Sequence, residues 1–429
     1  MNPYARWIFV GAGVVLTILF VVLSLADGLH ERVSLFLALS AAAFAAYFAA
    51  VLTHRHLGGW TRPRRVLWLI LPVAALARLV LVPSEPVMST DVYRYAWEGR
   101  VVSHGFNPFV HPPDAPELQF LRDRYYDDIN HKRLTTIYPP VSQAVFALGA
   151  FLKPGPQGQK LVFVLFDLGV IALIAALLAM RSMNPAAAVI YAWNPTVIFE
   201  TGHSGHVEPV GIFFLLAGIW FLARGRRVWG FAAMGFSFLS KYFAAVFVPY
   251  FAARRRYAAW VGVMAVVVAA GFLPFSSAGL GLFSSLRLYM AEWRFNGLAF
   301  ELLNRVVADP LWSRRILMFA AAAVVVYSSL KQADVIRFAF IAIGTVLLCS
   351  PTLYPWYVAW IVPFLCFYRN RAWILFTGLV LLSYWVWEVF PDGGTWELPW
   401  PVYLMEYLPF FALLMYDAVR GWRSREVLQ

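Results

Sequence analysis

The sequence predicts an all-α integral membrane protein that crosses the bilayer roughly a dozen times. Three observations predict it. Of the 429 residues, 61% are hydrophobic and only 14% charged, whereas a soluble domain carries about a quarter charged residues. Near-continuous apolar runs of spanning length recur, such as VLWLILPVAALARLVLV (66–82) and LVFVLFDLGVIALIAALLAM (161–180). The basic residues gather in short loops between those runs. A formal net charge of +12 would suggest nucleic acid as the partner of a soluble chain. Here it reads as topology, so membrane lipid is expected as a partner and nucleic acid is not. The loop HRHLGGWTRPRR (54–65), the pair Arg226 and Arg227, the triplet Arg254 to Arg256, the stretch around Arg369 and Arg371, and the tail Arg420 to Arg425 are all expected in the cytoplasm.

With those loops fixed, the path follows. Arg6 precedes about twenty apolar residues, too many for a signal-peptide core, so the first helix is expected to be retained with its N-terminus inside. Helices near 7–26 and 34–52 form a hairpin, and a third at 66–83 exits. The long polar stretch 84–140, rich in Pro, Tyr, Asp and Arg, must then lie outside the membrane on the far side. Residues 141–152 are apolar but short and are expected to dip into or lie along the outer leaflet. Further spans are expected near 161–180, 186–201, 208–223 and 257–275. Between the last two, 228–253 reads as two short helices broken near Lys241, which keeps Arg254 to Arg256 inside. The remaining spans fall near 313–330, 335–350, 356–368, 372–388 and 403–419, giving about 12–14 in all with both termini cytoplasmic. Arg314 and Arg315 open a span from the outer face against the charge rule. Either the count slips there or they hold an anionic lipid headgroup. Three units are expected: 1–65, an N-terminal hairpin with its basic loop; 66–275, a catalytic module carrying the outer loop 84–140; and 276–429, an outer loop with a C-terminal membrane module. Cys349 and Cys366 lie in apolar runs and read as core.

The polar residues sort unevenly. The outer side collects Asp91, Arg94, Glu98, Asn107, Asn130, His131, Tyr138, His203, His206, Glu208, Lys241, Glu292, Asn296 and Tyr354, while the inner side carries mostly Arg. That asymmetry points to an outward-facing site. Its strongest local feature is STDVYRYAWEGRVVSHGFNPF (89–109). If 91–101 is helical, Asp91, Arg94, Tyr95 and Glu98 share a face and Thr90 suits an N-cap. A carboxylate there is placed to take a proton from an acceptor hydroxyl; the alternative is that Asp91 only caps the helix or pairs with Arg94. His203, His206 and Glu208 have a spacing open to metal ligation, to hydrogen bonding of a sugar or phosphate, or to simple loop solvation. Glu292, Trp293 and Asn296 read equally as a sugar-holding set and as part of an interfacial aromatic belt, as do Tyr354, Trp356 and Tyr357. Asp167, inside an apolar span, is expected to hydrogen-bond within the protein. Asp127 and Asp128 read as solvated loop charges or as a rival base.

The run from Asp91 to Phe109, followed by INHKRLTTIYPPVSQAVF (129–146), resembles the bacterial polyprenol-phosphate-mannose-dependent mannosyltransferases of the glycosyltransferase C superfamily. FDLGVIALIAALL (166–178), YAWNPTVIFETGHSGHVEP (191–209), the Lys241-Tyr242 pair ahead of VFVPYFAARRR, and TLYPWYVAWIVPFL (352–365) extend the resemblance in the same order. It implies a glycosyltransferase C-type fold, a sugar donor carried on a polyprenyl phosphate, and a glycan or glycolipid acceptor. It also implies that Asp91 matches the superfamily's base and that Asn130 and His131 line the acceptor side. Many relatives carry paired acids where this chain has Ser89-Thr90-Asp91. A single carboxylate is a poor divalent-cation site, so no cofactor is expected. Direct displacement at the anomeric carbon inverts configuration, and an ionised phosphate calls for cations, for which Lys241, Arg94, Arg314 and Arg315 are the candidates. The expected protein is thus an inner-membrane hexosyltransferase, moving mannose on the extracytoplasmic side. The rival readings are a lipid-linked-sugar flippase or transporter, disfavoured by the lack of an internal repeat, and a ligase using a diphosphate-linked donor.

Overall fold

The computed structural model describes residues 3–54, 63–389 and 396–426. Most of the expected basic loop 54–65 and the side chains of the tail Arg420 to Arg425 lie outside the described residues. Among those described, the regular structure is helical, and strand pairing is limited to isolated bridges joining Phe295 and Asn296 to Thr352.

α1 (Pro3–Leu25) and α2 (Val33–Thr53) form the expected hairpin. Phe9, Leu16, Phe20 and Leu23 fall on one face of α1 at helical spacing and are buried, while Val14, Val15, Ile18 and Val22 point outward as an apolar, lipid-compatible face. α3 (Pro63–Leu79) leads through a turn into α4 (Asp91–Ser103), which lies against α5 (Pro140–Leu152) and α6 (Pro156–Met180). Residues 185–202 form a helix in pieces: a 3-10 turn at Pro185–Ala188, then α7 (Val189–Ala192) and α8 (Pro195–Gly202). Asn194 caps the last piece by accepting the Val197 N–H. Every residue from 186 to 202 is buried, which makes this the central strut of the molecule.

α9 (Glu208–Ala223) and α10 (Arg227–Ser240) pack as an antiparallel pair. At Lys241 the backbone turns extended, and the chain resumes as a 3-10 segment, Tyr242–Phe247, and α11 (Val248–Ala252). The expected break falls at that residue. α12 (Arg255–Ala258) and α13 (Val261–Phe272) follow; of α13 only Met264 is buried, so this helix is an almost entirely outward apolar surface. Beyond a 3-10 stretch at Leu273–Phe283 come α14 (Ser284–Glu292), α15 (Leu298–Val307), α16 (Pro310–Lys331) and α17 (Val335–Cys349). The chain ends with α18 (Val362–Leu365), α19 (Arg371–Leu379), α20 (Val386–Val389) and α21 (Trp400–Glu426).

Among the described residues, seven helical stretches are long and apolar enough to cross a membrane, accompanied by shorter apolar helices. Several of the other apolar runs expected to span are broken where proline removes a backbone donor. Pro195 divides 186–202, and Pro363 divides 355–365. Such irregular backbone sits inside the bundle, where protein groups satisfy it.

The two ends of the bundle are distinct. α6 is about 37 Å long for its 25 residues. Near its start Lys160 donates to Ser84 O at 2.6 Å, beside the turn into α4. Just past its end Arg181 binds Asp334 through both carboxylate oxygens, and Tyr368 donates to the same group. The loops expected outside thus gather at one end, and Arg181 with its partners marks the other. Between them, Arg78 of α3 and Asp167 of α6 pair directly with neither side chain exposed, and Tyr191 donates to Asp167 as well. Asp167 therefore has the internal partners expected of it, with Arg78 the one the apolar run had concealed.

Candidate active site

The turn from α3 places Asp91 as the first residue of α4, at the rim of a cavity of about 660 Å³. Thr90 makes no capping bond of the expected kind. Its hydroxyl instead accepts from Asn130 Nδ2 at 3.2 Å, and the same amide donates to Asp91 Oδ1 at 2.7 Å. One carboxylate oxygen is therefore held, while Oδ2 faces Tyr95 OH at 3.5 Å and His206 Nδ1 at 4.0 Å. Asp91 keeps 24% of its side chain exposed into the cavity.

The loop carrying Asn130 is fixed from beneath. Arg94 pairs with Glu98 at 2.6 Å, one turn along α4, and donates to the carbonyls of His131 at 3.1 Å and Leu134 at 2.6 Å. Glu98 also accepts from Thr136 and Gln143, both at 2.7 Å. Arg94 reaches the cavity wall, but most of its donors are committed to this network; Glu98 is buried away from it. His131 adopts a left-handed backbone, φ 46°, and meets the edge of Trp293 with ring centres 4.9 Å apart. Burial, with Arg94 nearby, holds its imidazole below the ordinary 6.5 against the opposing pull of Asp91.

Behind Asp91 runs the loop 203–207. Gly205 has φ 71°, and an added Cβ there would meet Val92 at 2.8 Å, so only glycine lets this loop close onto α4. That closure brings His206 beside Asp91. The His206 ring stacks on Trp356 at 3.8 Å, which in turn stacks on Tyr354 at 4.4 Å, and Tyr354 on Phe295 at 4.8 Å. The faces of these rings cover one another, so this wall presents mainly edges to the cavity. Burial and the neighbouring Lys241 hold the His206 imidazole well below its usual range, which keeps it neutral. Its Nε2 lies 3.4 Å from Glu200 Oε2. Glu200, on α8, also accepts from Tyr384 OH at 2.8 Å, and Tyr384 lines the cavity.

The far wall consists of Ser285, Tyr289, Glu292, Trp293, Arg294, Trp387, Trp396 and Glu397. Arg294 pairs with Glu397 there. Tyr289 and Tyr357 bond through their hydroxyls at 2.7 Å, and Lys241 lies over the Tyr357 ring at 4.6 Å.

The cavity thus collects Asp91, Arg94, Asn130, His131, Tyr138, Glu292 and Tyr354 from the residues singled out by sequence. Others sit elsewhere. Asn107 ties the long polar stretch after α4 to the 273–283 segment through Phe275 O and Ser277 Oγ, at 3.2 and 2.8 Å. His203 is buried against Ser84 and stacked on Phe199. Glu208 and Lys241 form a pair outside the lining. Asn296 is fully buried and donates to Glu406 of α21 at 2.7 Å. Of the expected phosphate-binding cations, Arg314 donates to Met290 O and Trp293 O, at 3.2 and 2.8 Å, and Arg315 lies over Trp312. Sequence reasoning passed over Glu200, Tyr384, Arg294 and Glu397. For Glu200 there was a signal, a lone carboxylate inside an apolar run, of the kind that drew notice to Asp167.

A family model described as "Alpha-(1->6)-mannopyranosyltransferase, N-terminal domain" matches residues 9–256, more than half of the chain. The matched stretch holds Asp91, Asn130, His131, Glu200 and His206, whereas the far cavity wall lies beyond it. No match was found among curated proteins or among solved structures.

Proposed function

The chain belongs to the alpha-(1->6)-mannopyranosyltransferase family, and on that premise we propose that this membrane mannosyltransferase draws mannose from a polyprenyl phosphate and delivers it to a glycan or glycolipid, with Asp91 as general base. The observation that carries the reading is the environment of Asp91: a partly exposed carboxylate at a cavity rim, one oxygen fixed by Asn130 and the other turned toward Tyr95 OH and His206. A base must reach the proton it removes in a held geometry, and Asn130 supplies the holding.

The family description names an alpha-(1->6) linkage, so the acceptor group in this reading is the primary hydroxyl at C6 of a mannose. Asp91 takes that proton as the oxygen attacks the anomeric carbon, and the bond to the phosphate breaks with its electron pair left on phosphate oxygen. Attack opposite the leaving group converts a β-linked donor into an α-linked product. Arg94 and Arg294 are the cations on the cavity wall, and charge-assisted bonds from them would hold the departing phosphate. Each already has a carboxylate partner, so neither arrives as an unneutralised charge. The outward apolar face of α13 offers lipid-compatible surface for the polyprenyl chain. The reaction runs without a metal in this reading, because Asp91 is a single acid and a lone carboxylate is a poor divalent-cation site. The extracytoplasmic placement of the cavity rests on the distribution of basic loops.

The test is transfer by purified Asp91→Asn protein with polyprenyl-phosphate-mannose and a mannoside acceptor. The amide keeps the shape and loses the base, so turnover should fall by about 10²–10⁴-fold with the protein still folded. Turnover like that of the wild type would reject Asp91 as the base.

A further inference from the structure

Three polar atoms next to Asp91, on two side chains, are buried without conventional partners. His206 is 1% exposed and Glu200 2% exposed. Neither ring nitrogen of His206 makes a hydrogen bond of normal geometry, and neither does Glu200 Oε2. Buried polar atoms are nearly always satisfied, so a contiguous set of unsatisfied ones beside a reactive carboxylate calls for a reason. Their order supplies one. Asp91 Oδ2, His206 Nδ1, His206 Nε2 and Glu200 Oε2 follow one another in line, with gaps of 4.0 and 3.4 Å across the imidazole.

We propose that His206 and Glu200 form a proton relay behind Asp91, and that the proton leaving the acceptor hydroxyl comes to rest on Glu200. This deepens the reading of Asp91 as base and rests on it. With Glu200 ionised, the imidazole neutral and its proton on Nε2, Nδ1 is a free acceptor toward Asp91. When Asp91 is protonated by the acceptor, it passes that proton to Nδ1 while the Nε2 proton moves to Glu200 Oε2. His206 ends neutral, Asp91 regains its charge, and Glu200 becomes the neutral acid. The acceptor oxygen has formed its bond to the anomeric carbon, and the phosphate has left with the electron pair. A cavity filled by two substrates holds little water to take the proton, which gives an internal acceptor its use. The charged groups facing His206 are Asp91 from α4, Glu200 from α8 and Lys241 beyond α10. Tyr384 OH touches both Glu200 and the cavity, and so offers the exit once product departs.

The test uses the full-length protein with polyprenyl-phosphate-mannose and a mannoside acceptor under single-turnover conditions, in mixtures of light and heavy water. The wild type should show a curved dependence of rate on deuterium fraction, since more than one proton is in flight. Glu200→Gln keeps the shape and should slow the step by about tenfold or more, with KM for both substrates unchanged and the dependence made linear. His206→Gln should do the same, and the double variant should be no slower than either single one. Wild-type rate and curvature in Glu200→Gln, beside an inactive Asp91→Asn, would overturn the relay and leave the base standing. An active Asp91→Asn would remove the base and the relay together.

Discussion

Asn130 decides which way Asp91 faces. Its amide spans Thr90 and Asp91 and ties one carboxylate oxygen at 2.7 Å, while the other has the longer 3.5 Å contact from Tyr95 OH. Asn130→Ala removes the tie without adding bulk or charge. Asp91 can then rotate, and turnover should drop by about tenfold or more while KM for the donor stays near its wild-type value, because a misplaced base affects the transition state more than the bound ground state. Steady-state kinetics with the donor varied checks this; an unchanged kcat would mean that Asp91 is oriented by something else. His131, next in sequence, gives a pH signature. Its folded pKa lies below the ordinary 6.5, so between those values the unfolded chain holds a proton that the folded one does not. The corresponding stability is present in full above 6.5 and is lost as the pH falls through the lower, folded value. Asn tolerates the left-handed backbone at this position. His131→Asn should therefore lose less thermal stability than the wild type when the pH is lowered from neutral through the mildly acidic range, as read by thermal unfolding at a series of pH values.

The pairing of α4 with α5 carries the site from one helix to the next. At Gly99 an added Cβ would stand 2.2 Å from Phe146 O, a backbone atom that cannot swing aside. Glycine at 99 is thus what allows α4 to lie close enough for Tyr95 to stack on Phe146 at 4.6 Å and for Glu98 to reach Gln143. Gly99→Ala has to push the helices apart, and overpacking of this kind costs about 1–3 kcal/mol or more. The variant should unfold at lower temperature and lose transfer activity, since Asp91 rides on the displaced helix. A melting temperature equal to that of the wild type would show that the two helices do not need this contact. The break at Lys241 follows a different logic. There the backbone leaves the helix beside a buried carboxylate, and the Lys241–Glu208 pair joins α10 to the start of α9.

Legibility in the sequence tracked the distance along the chain over which each contact is made. Asp91, Asn130 and His131 could be placed together because they lie in one long polar stretch, 84–140, and the family pattern runs across it. Glu200 and Tyr384 are 184 positions apart, and Arg294 and Glu397 are 103 apart; no local spacing announces such partners. The same blindness hid Arg78, which reads as an interruption in an apolar run until α6 brings Asp167 to it. That pair also joins the site-bearing helices to the central strut, since Arg78 donates to Ala192 O at 2.8 Å and Tyr191 donates to Asp167. Fully buried ion pairs contribute little net stability relative to apolar packing, but losing one partner strands the other charge at a cost of about 3–5 kcal/mol. Asp167→Leu should accordingly cripple folding in the membrane, because Arg78 is left without its carboxylate. The triple variant Arg78→Met, Asp167→Leu, Tyr191→Phe removes every member of the polar set and should recover most of the yield and thermal stability. If the triple variant were as unstable as the single one, the pair would be holding the bundle together by its own attraction and not by the penalty of its absence.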